Sequence, residues 1–357
     1  MEHKKEYRLH EPSEEQKDIL KYLEDFNVKV QAVAGSGKTT TALHIARKFN
    51  DKDILLLTYN RKLMDETLEK TKSLRIKNLE VRTFHSFGQT FFKVPCAKDK
   101  GIRKIIAEKI SNKVPINYDL ILVDEAQDIT PILYEFTCKI ISQNLKTPKL
   151  CILGDKNQAI YEYKDADSRY LEKAEELFKF NDLKWKNCIL SESFRVNKGT
   201  VDFINNVFYD TNIMKSNIKK PYSVNYIVCN TFGSNELVNK IIECINEYGI
   251  ENVFVLAFSV KSEKAPAKKL ANMLSSRGVL VYVPSNDETP LNAKEYDNKL
   301  IFSTFHQSKG LERKIVFVVG FDLSFFKLAS CKWSATNQLR KELICCTSLT
   351  RCQLIKC

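Results

Sequence analysis

Ala32-Val33-Ala34-Gly35-Ser36-Gly37-Lys38-Thr39 joins an apolar, β-rich stretch, Val28 to Val33, to an amphipathic one, Lys38 to Phe49. A strand that runs through a glycine-rich turn into a helix is the frame of a phosphate-binding loop, with Ala32 in place of the usual first glycine. Gly35 and Gly37 let backbone amides turn inward around phosphate oxygens, and the helix N-terminus adds its positive end. Ala34, Ser36 and Thr40 belong to the same candidate turn. Lys38 would reach the β- and γ-phosphates of a nucleotide and the Thr39 hydroxyl would hold Mg²⁺. The plainer alternative is a Gly-Ser turn ahead of a helix that carries a lysine on its first turn.

Working outward, Leu120 to Val123 is a short apolar strand that ends in Asp124-Glu125-Ala126-Gln127-Asp128. Acids beyond the C-terminal end of a buried parallel strand stand at the crevice where open α/β sheets bind ligands. Asp124 suits Mg²⁺, and Glu125 suits the base that orients or deprotonates an attacking water. Alone, the pair reads as an acidic N-cap; beside a phosphate loop the catalytic reading prevails. A third strand, Leu150 to Leu153, runs into Gly154-Asp155-Lys156-Asn157-Gln158, followed by Tyr161 and Tyr163. Gln158 lies where a neutral side chain senses the γ-phosphate or the water. The two tyrosines read equally well as core aromatics.

The whole chain fits this reading. Its 357 residues suit two domains, and 43% hydrophobic with 28% charged residues marks a globular protein. Lysine and arginine outnumber the acids, 56 to 44, for a net charge of +12, which suits a polyanionic partner or simply a soluble basic surface. Met1 to Asp18 is charged throughout and resembles no secretory leader. The longest apolar run, Ile315 to Phe321, falls far short of the roughly 20 residues that cross a bilayer. The expectation is an intracellular protein of cytoplasm or nucleus, with no membrane partner. Eleven scattered cysteines with no Cys-x-x-Cys pair suit reduced thiols, and the spacing of Cys345, Cys346, Cys352 and Cys357 fits no usual metal site.

Apolar β-rich stretches alternate with amphipathic ones along the chain, which predicts an α/β protein with parallel strands. Besides those named, strands are expected at Ile54 to Thr58, Asn225 to Cys229, Val253 to Ala257, Val279 to Val283, Leu300 to Ser303 and Ile315 to Val319. A helix is expected over Glu263 to Arg277, with Pro266 in its first turn. Thr83-Phe84-His85 and Thr304-Phe305-His306 echo each other across the halves, in keeping with two similar layers in tandem. The join is placed near Asn187, after the amphipathic stretch Tyr170 to Phe180, giving domains 1–187 and 188–357.

The ordered motifs resemble those of superfamily 1 helicases of the UvrD/Rep type. Pro12-Ser-Glu-Glu-Gln16 is similar to that family's glutamine motif. Thr83-Phe-His-Ser86 resembles its first-half DNA motif, Asn60-Arg-Lys-Leu63 fits the motif after its second strand, and Ser193-Phe194-Arg195 resembles its Asn-Tyr-Arg. Ser303 to Glu312 is similar to its Thr-x-His-x-x-Lys-Gly-Leu-Glu, and Leu349-Thr-Arg-Cys352 to its closing Leu-Thr-Arg-Ala. The resemblance implies two tandem RecA-like P-loop domains with an ATP cleft between them. It implies a motor that uses ATP and Mg²⁺ to move along single-stranded DNA, 3′→5′, and to unwind partly duplex DNA. Gln16 would read the adenine edge, Phe194 would stack on the base, and Gly310 and Glu312 would serve the nucleotide, Glu312 at the ribose. Arg195 and Arg351 would act as arginine fingers. Tyr59, Asn60, His85, Tyr163, Lys164, His306 and Lys309 would lie along the strand. Ser13 and Gln16 also form a capping box, so Gln16 has a purely structural alternative.

The chain departs from the family in leaving no room for accessory subdomains between Phe87 and Leu120 or between Val283 and Leu300, and in ending soon after the last motif. It resembles a minimal form, expected to be a single-strand-stimulated ATPase that needs an accessory protein to unwind efficiently. Thr40 replaces a nucleotide-contacting arginine, and Cys346 a tyrosine. Competing classes are an RNA-directed motor of the same superfamily, a phosphotransferase on the same loop, and a nucleic-acid scaffold without catalysis.

Overall fold

The computed structural model describes residues 7–209, 212–219, 224–230, 233–263, 265–287, 291, 296–309, 311–320 and 350–356, the last of these as backbone. The chain divides into two compact units, one of Met1–Val33 with Gly37–Ser191 and one of Ala34–Ser36 with Glu192–Cys357.

In the first unit, β1 (Asn27–Ala32), β2 (Ile54–Thr58), β3 (Leu79–Thr83), β4 (Leu120–Val123), β5 (Lys149–Gly154) and β6 (Trp185–Leu190) form one sheet. Its order is β3-β2-β4-β5-β1-β6 and every neighbouring pair is parallel. Apolar runs such as Ile-Leu-Leu-Leu in β2 form central strands because both faces of the sheet are covered by helices. Leu55 and Leu57 pack on one side with Phe84, Phe87 and Phe136. Ile54 and Leu56 pack on the other with Leu43, Ile45 and Ala46 of the helix Lys38–Lys48. This order sets β4, β5 and β1 side by side, so the segments leaving their C-terminal ends share one edge of the sheet.

In the second unit, β7 (Glu192–Asn197) and β8 (Lys215–Ile218) pair with each other. β9 (Val224–Tyr226), β10 (Val253–Ala257), β11 (Val281–Tyr282), β12 (Leu300–Thr304), β13 (Arg313–Val318) and β14 (Thr350–Lys356) form a second all-parallel sheet, ordered β11-β12-β10-β13-β14-β9. Val253 and Val255 pack on the helices Asn235–Tyr248 and Ala267–Ser275, while Phe254 and Leu256 face Phe305, Val316 and Val318.

The α/β class with parallel sheets is therefore as the sequence predicts, while several local expectations are corrected. The division falls at Ser191/Glu192, and the expected join at 187/188 lies inside β6, which is locked to β1 from Asn27↔Trp185 to Ala32↔Leu190. The amphipathic stretch Tyr170 to Phe180 holds two short turns of helix, Arg169–Glu172 and Ala174–Leu177. The strands expected at Asn225 to Cys229 and Val279 to Val283 are shorter, since each lies at a sheet edge with one pairing partner. Cys345 and Cys346 lie outside the described residues. No described helix is long and apolar enough to cross a membrane.

Candidate nucleotide site and nucleic-acid interface

β1 delivers the chain into a turn in which Gly35 has φ 72° and Gly37 φ 86°, backbone conformations that favour glycine. Gly37 caps the helix that opens at Lys38, and the Thr41 hydroxyl donates to the Gly37 carbonyl at 3.0 Å. Gln16 is buried against this turn, and its Nε2 donates to Thr41 Oγ1 at 3.0 Å. Its Oε1 accepts from Ser13 N at 3.0 Å, completing the capping box of the helix Glu14–Tyr22. The capping box is therefore formed, and the same amide also touches the phosphate loop. Ser36 is buried and its Oγ has no hydrogen-bond partner, an orphan donor inside a turn suited to anions. Thr39 and Thr40 are half-buried on the first turn of the helix.

The edge shared by β1, β4 and β5 concentrates charge. Lys38 Nζ stands 3.4 Å from Glu125 Oε1. Burial alone would lower the lysine's pKa, but the charges of Glu125, Asp124 and Asp155 outweigh it and hold the ammonium above its ordinary value. Asp124, 4% exposed, is pushed up to about 7 by burial and by the charge of Glu125, with Lys38 opposing. Burial likewise raises Asp155. Three carboxylates near one ammonium leave negative charge to be balanced; no three acids, histidines or cysteines among the described residues stand together as a metal-binding group, so Mg²⁺ would rely on oxygens of a bound nucleotide as well. Asp124 and Thr39 are the residues that would hold it.

Neighbouring amides fix these acids. Asp124 Oδ1 accepts from Glu125 N at 2.8 Å, and Gln127 Nε2 donates to Glu125 Oε2 at 2.6 Å. Asp155 accepts from Gln158 Nε2 at 2.8 Å and from Asn157 N at 3.0 Å. Gln158 therefore joins the cluster through Asp155. The sequence reading assigned nothing to Asp155 or Gln127. Asp155 follows directly on the buried strand β5, as Asp124 follows β4, and that shared position is the signal for it.

In the second unit, Ser193 is buried, its Oγ donating to Ala34 O at 2.8 Å and accepting from Val196 N at 3.0 Å. Phe194 N donates to Gly35 O at 3.0 Å, and the Phe194 side chain is 45% exposed. Arg195 Nε pairs with Glu312 Oε1, so the expected ribose ligand and the expected arginine finger meet each other here. Thr304 caps the turn Phe305–Ser308, which carries His306 and leads to Lys309, in a capping box with Gln307. Asp287 braces this turn: its carbonyl accepts from Thr304 Oγ1 at 3.2 Å, and its carboxylate accepts from Ser259 Oγ at 2.6 Å and Val260 N at 2.7 Å. Gly310 lies outside the described residues, and Arg351 is placed in β14 by its backbone.

Of the residues expected along a nucleic-acid strand, those of the first unit largely gather. Tyr59 and Tyr163 are 44% and 55% exposed, and Lys164 Nζ lies over the rings of Tyr161 and Tyr163 at 5.5 and 5.3 Å. Burial raises the Tyr59 phenol, and Lys164, Asp99 and Tyr163 all stand near enough to act on it. Asp99 accepts from or pairs with His85 Nε2 at 2.8 Å. Asn60 caps the helix Arg61–Ser73, its Oδ1 accepting from Lys62 N at 2.8 Å. Exposed aromatics beside a lysine have the chemistry that base stacking requires.

A family model described as an AAA domain matches residues 16–164, the span that holds Gln16, the phosphate loop, the acids and Lys164. One component of an ATP-dependent helicase/nuclease of Clostridium acetobutylicum is 30% identical over 115 residues, 32% of this chain and 9% of that protein. A probable DNA helicase II homolog of Mycoplasma capricolum is 28% identical over 223 residues, 58% of this chain and 27% of that protein. The chain therefore spans about a quarter or less of the length of these relatives. Among solved structures, the Arterivirus nonstructural protein 10 (helicase) complex with DNA aligns over 96% of this chain and 62% of its own, at 11% identity and a TM-score of 0.48. Its motifs, with the AAA-domain match and these sequence relatives, make the chain similar to the superfamily 1 helicases of the UvrD/Rep type.

Proposed function

We propose that this protein hydrolyses ATP and uses the energy to move along single-stranded DNA, 3′→5′, and to separate strands. The observation that carries the reading is the cluster at the edge of β1, β4 and β5, where Lys38 stands among Glu125, Asp124 and Asp155 beside a loop with two positive-φ glycines. The amides of Ala34, Gly35, Ser36 and Gly37 and the Lys38 ammonium bind the phosphates, with Thr40 beside them. Mg²⁺, held by Thr39 and Asp124, would neutralise charge on the β- and γ-phosphates. Glu125 orients a water and takes its proton as the water oxygen bonds to the γ-phosphorus and the bond to the ADP oxygen breaks. Gln158 contacts the γ-phosphate or that water.

The resemblance assigns Gln16 and Phe194 to adenine, Gly310 and Glu312 to the nucleotide, and Arg195 and Arg351 to the triphosphate. An arginine finger is worth about 10³ to 10⁵ in rate, the size of effect that would fall to Arg195 and Arg351. Tyr59, Asn60, His85, Tyr163, Lys164, His306 and Lys309 grip the strand by stacking and phosphate contacts that weaken with salt. ATP supply places the protein inside the cell.

A narrower reading, single-strand-stimulated ATPase with little unwinding alone, has its own support. The helix Asp99–Ala107 lies in the stretch where an accessory subdomain would be inserted, yet its Ile102 and Ile105 are core residues of the first unit. An accessory protein would then be the partner for unwinding. Hydrolysis with and without single-stranded DNA or RNA, with Glu125→Gln as control, tests the activity. Stimulation by DNA and loss in the variant are expected; unstimulated turnover, or turnover in the variant at the wild-type rate, removes the reading. Displacement of streptavidin from one strand end or the other gives direction. A forked duplex separates the two readings.

A further inference from the structure

Gln127 has no role in the scheme above, yet it is fully buried (0% exposed) in the middle of the acid cluster. It sits in the short turn Ala126–Asp128 directly after Glu125, whose backbone is left-handed at φ 54°, ψ 42°, a conformation uncommon outside glycine. Both ends of the Gln127 amide are committed. Nε2 donates to Glu125 Oε2 at 2.6 Å, and Oε1 accepts from Asp155 N at 2.9 Å. Asp155 in turn holds Gln158 Nε2 at 2.8 Å. A continuous hydrogen-bonded chain therefore runs from Glu125 through Gln127 and Asp155 to Gln158. The end of β5 makes room for it, since a Cβ on Gly154 would stand 2.5 Å from Gln127 Oε1 and 3.2 Å from Ala126 N.

Only an amide of this length meets the requirement. One end must donate to a carboxylate and the other must accept from a backbone N–H. Glutamate would set a second carboxylate against Glu125, and methionine fills the volume with neither function.

We propose that Gln127 is a positioning residue for hydrolysis: it fixes the Glu125 carboxylate and couples it to the turn that carries Gln158. The proposal rests on the reading of Glu125 as the group that orients the attacking water. Gln127 is fully buried with both ends of its amide engaged by the protein, so its loss should act on turnover and spare nucleotide binding. Misplacing a catalytic group by about 1 Å costs about 10²-fold in rate.

The test is DNA-stimulated ATP hydrolysis by the full chain in five forms: wild type, Gln127→Met, Gln127→Glu, Glu125→Gln, and Glu125→Gln combined with Gln127→Met. Thermal melting and binding of a fluorescent ATP analogue accompany it. Gln127→Met should lower kcat by roughly 30- to 100-fold with KM within about 3-fold. In the Glu125→Gln background the same change should cost nothing further, because both act through one carboxylate. Gln127→Glu, which keeps the volume, should show the same split if the methionine variant does not fold. Wild-type kcat in a folded Gln127 variant, parallel loss of kcat and analogue binding, full additivity in the double variant, or failure of both variants to fold would each overturn the positioning role. A wild-type chain that hydrolyses no ATP overturns the function itself, whereas an active wild type with indifferent Gln127 variants overturns only this inference.

Discussion

Each unit places a cation against a carboxylate at a residue expected to serve the nucleotide, and the two pairs are built differently. Lys38, 11% exposed at its side chain, faces Glu125 with Asp124 and Asp155 close behind. Arg195 faces Glu312 in an ion pair whose side chains are 33% and 23% exposed. The first arrangement is buried and carries excess negative charge, so its acids are uncomfortable without a cation. The second is balanced and partly wet. A crowded, desolvated cluster stores sensitivity to charge, while a solvated pair can exchange partners at little cost.

Removing Lys38 should break the contrast most sharply. Lys38→Ala leaves three carboxylates without their ammonium, and a loss of about 3 kcal/mol is expected in chemical denaturation at pH 8. Nucleotide hydrolysis should fall by on the order of 10²–10³ or more. The stability loss should shrink on acidification as the carboxylates take up protons, and a loss that is flat from pH 8 to pH 5 would mean that the acids do not repel.

Next comes Asp124→Asn, with the opposite sign. Burial raises the folded carboxyl to about 7, above its ordinary value of 3.8. The native state therefore binds the proton more tightly than the unfolded chain, and Asp124 disfavours folding increasingly as pH rises from about 4 to 7. The asparagine variant should be more stable than wild type at pH 8, by roughly 2–4 kcal/mol, and equal to it near pH 4. Melting curves at the two pH values decide the matter, and a destabilised variant at pH 8 would contradict the crowding.

The smallest change is expected for Arg195→Ala, whose pair is open to water. Its stability cost should stay below about 1 kcal/mol and diminish in high salt. DNA-stimulated turnover should nonetheless fall steeply. Denaturation and hydrolysis measured on one preparation would expose any cost as large as that of Lys38→Ala, which would make the two pairs equivalent.

Much of this was legible in the sequence because it is local. β2, β4 and β10 are continuous apolar runs, and their ends coincide with the stretches read from composition. The phosphate loop and the acids after β4 are contiguous motifs whose chemistry is written in a few adjacent residues. β6 escaped notice because it is an edge strand of mixed polarity, with Ile189 58% exposed, and its pairing to β1 joins residues far apart in sequence. Gln127 escaped for the same reason, since its partner Asp155 comes from another strand.

The Thr-Phe-His echo shows how far local resemblance reaches. Thr83 and Thr304 both cap a helix in a capping box, and Phe84 and Phe305 are both 1% exposed. Yet Thr83 ends the edge strand β3 while Thr304 ends β12, second from its edge. The same three residues make the same turn at different places in the two sheets, so the echo records a shared capping chemistry rather than a repeat in register. His85 finds Asp99 on a following helix, a partner the three-residue match did not foreshadow.

Asp287 has a practical consequence for protein engineering. Its side chain ties down the loop after β10 while its carbonyl holds the cap of the next turn. One residue thus anchors two loops on the core, and Leu291 packs on that core four positions later. Anyone fitting a fluorescent reporter into this protein should therefore leave Asp287 and its partners undisturbed, since a change there would loosen both loops together.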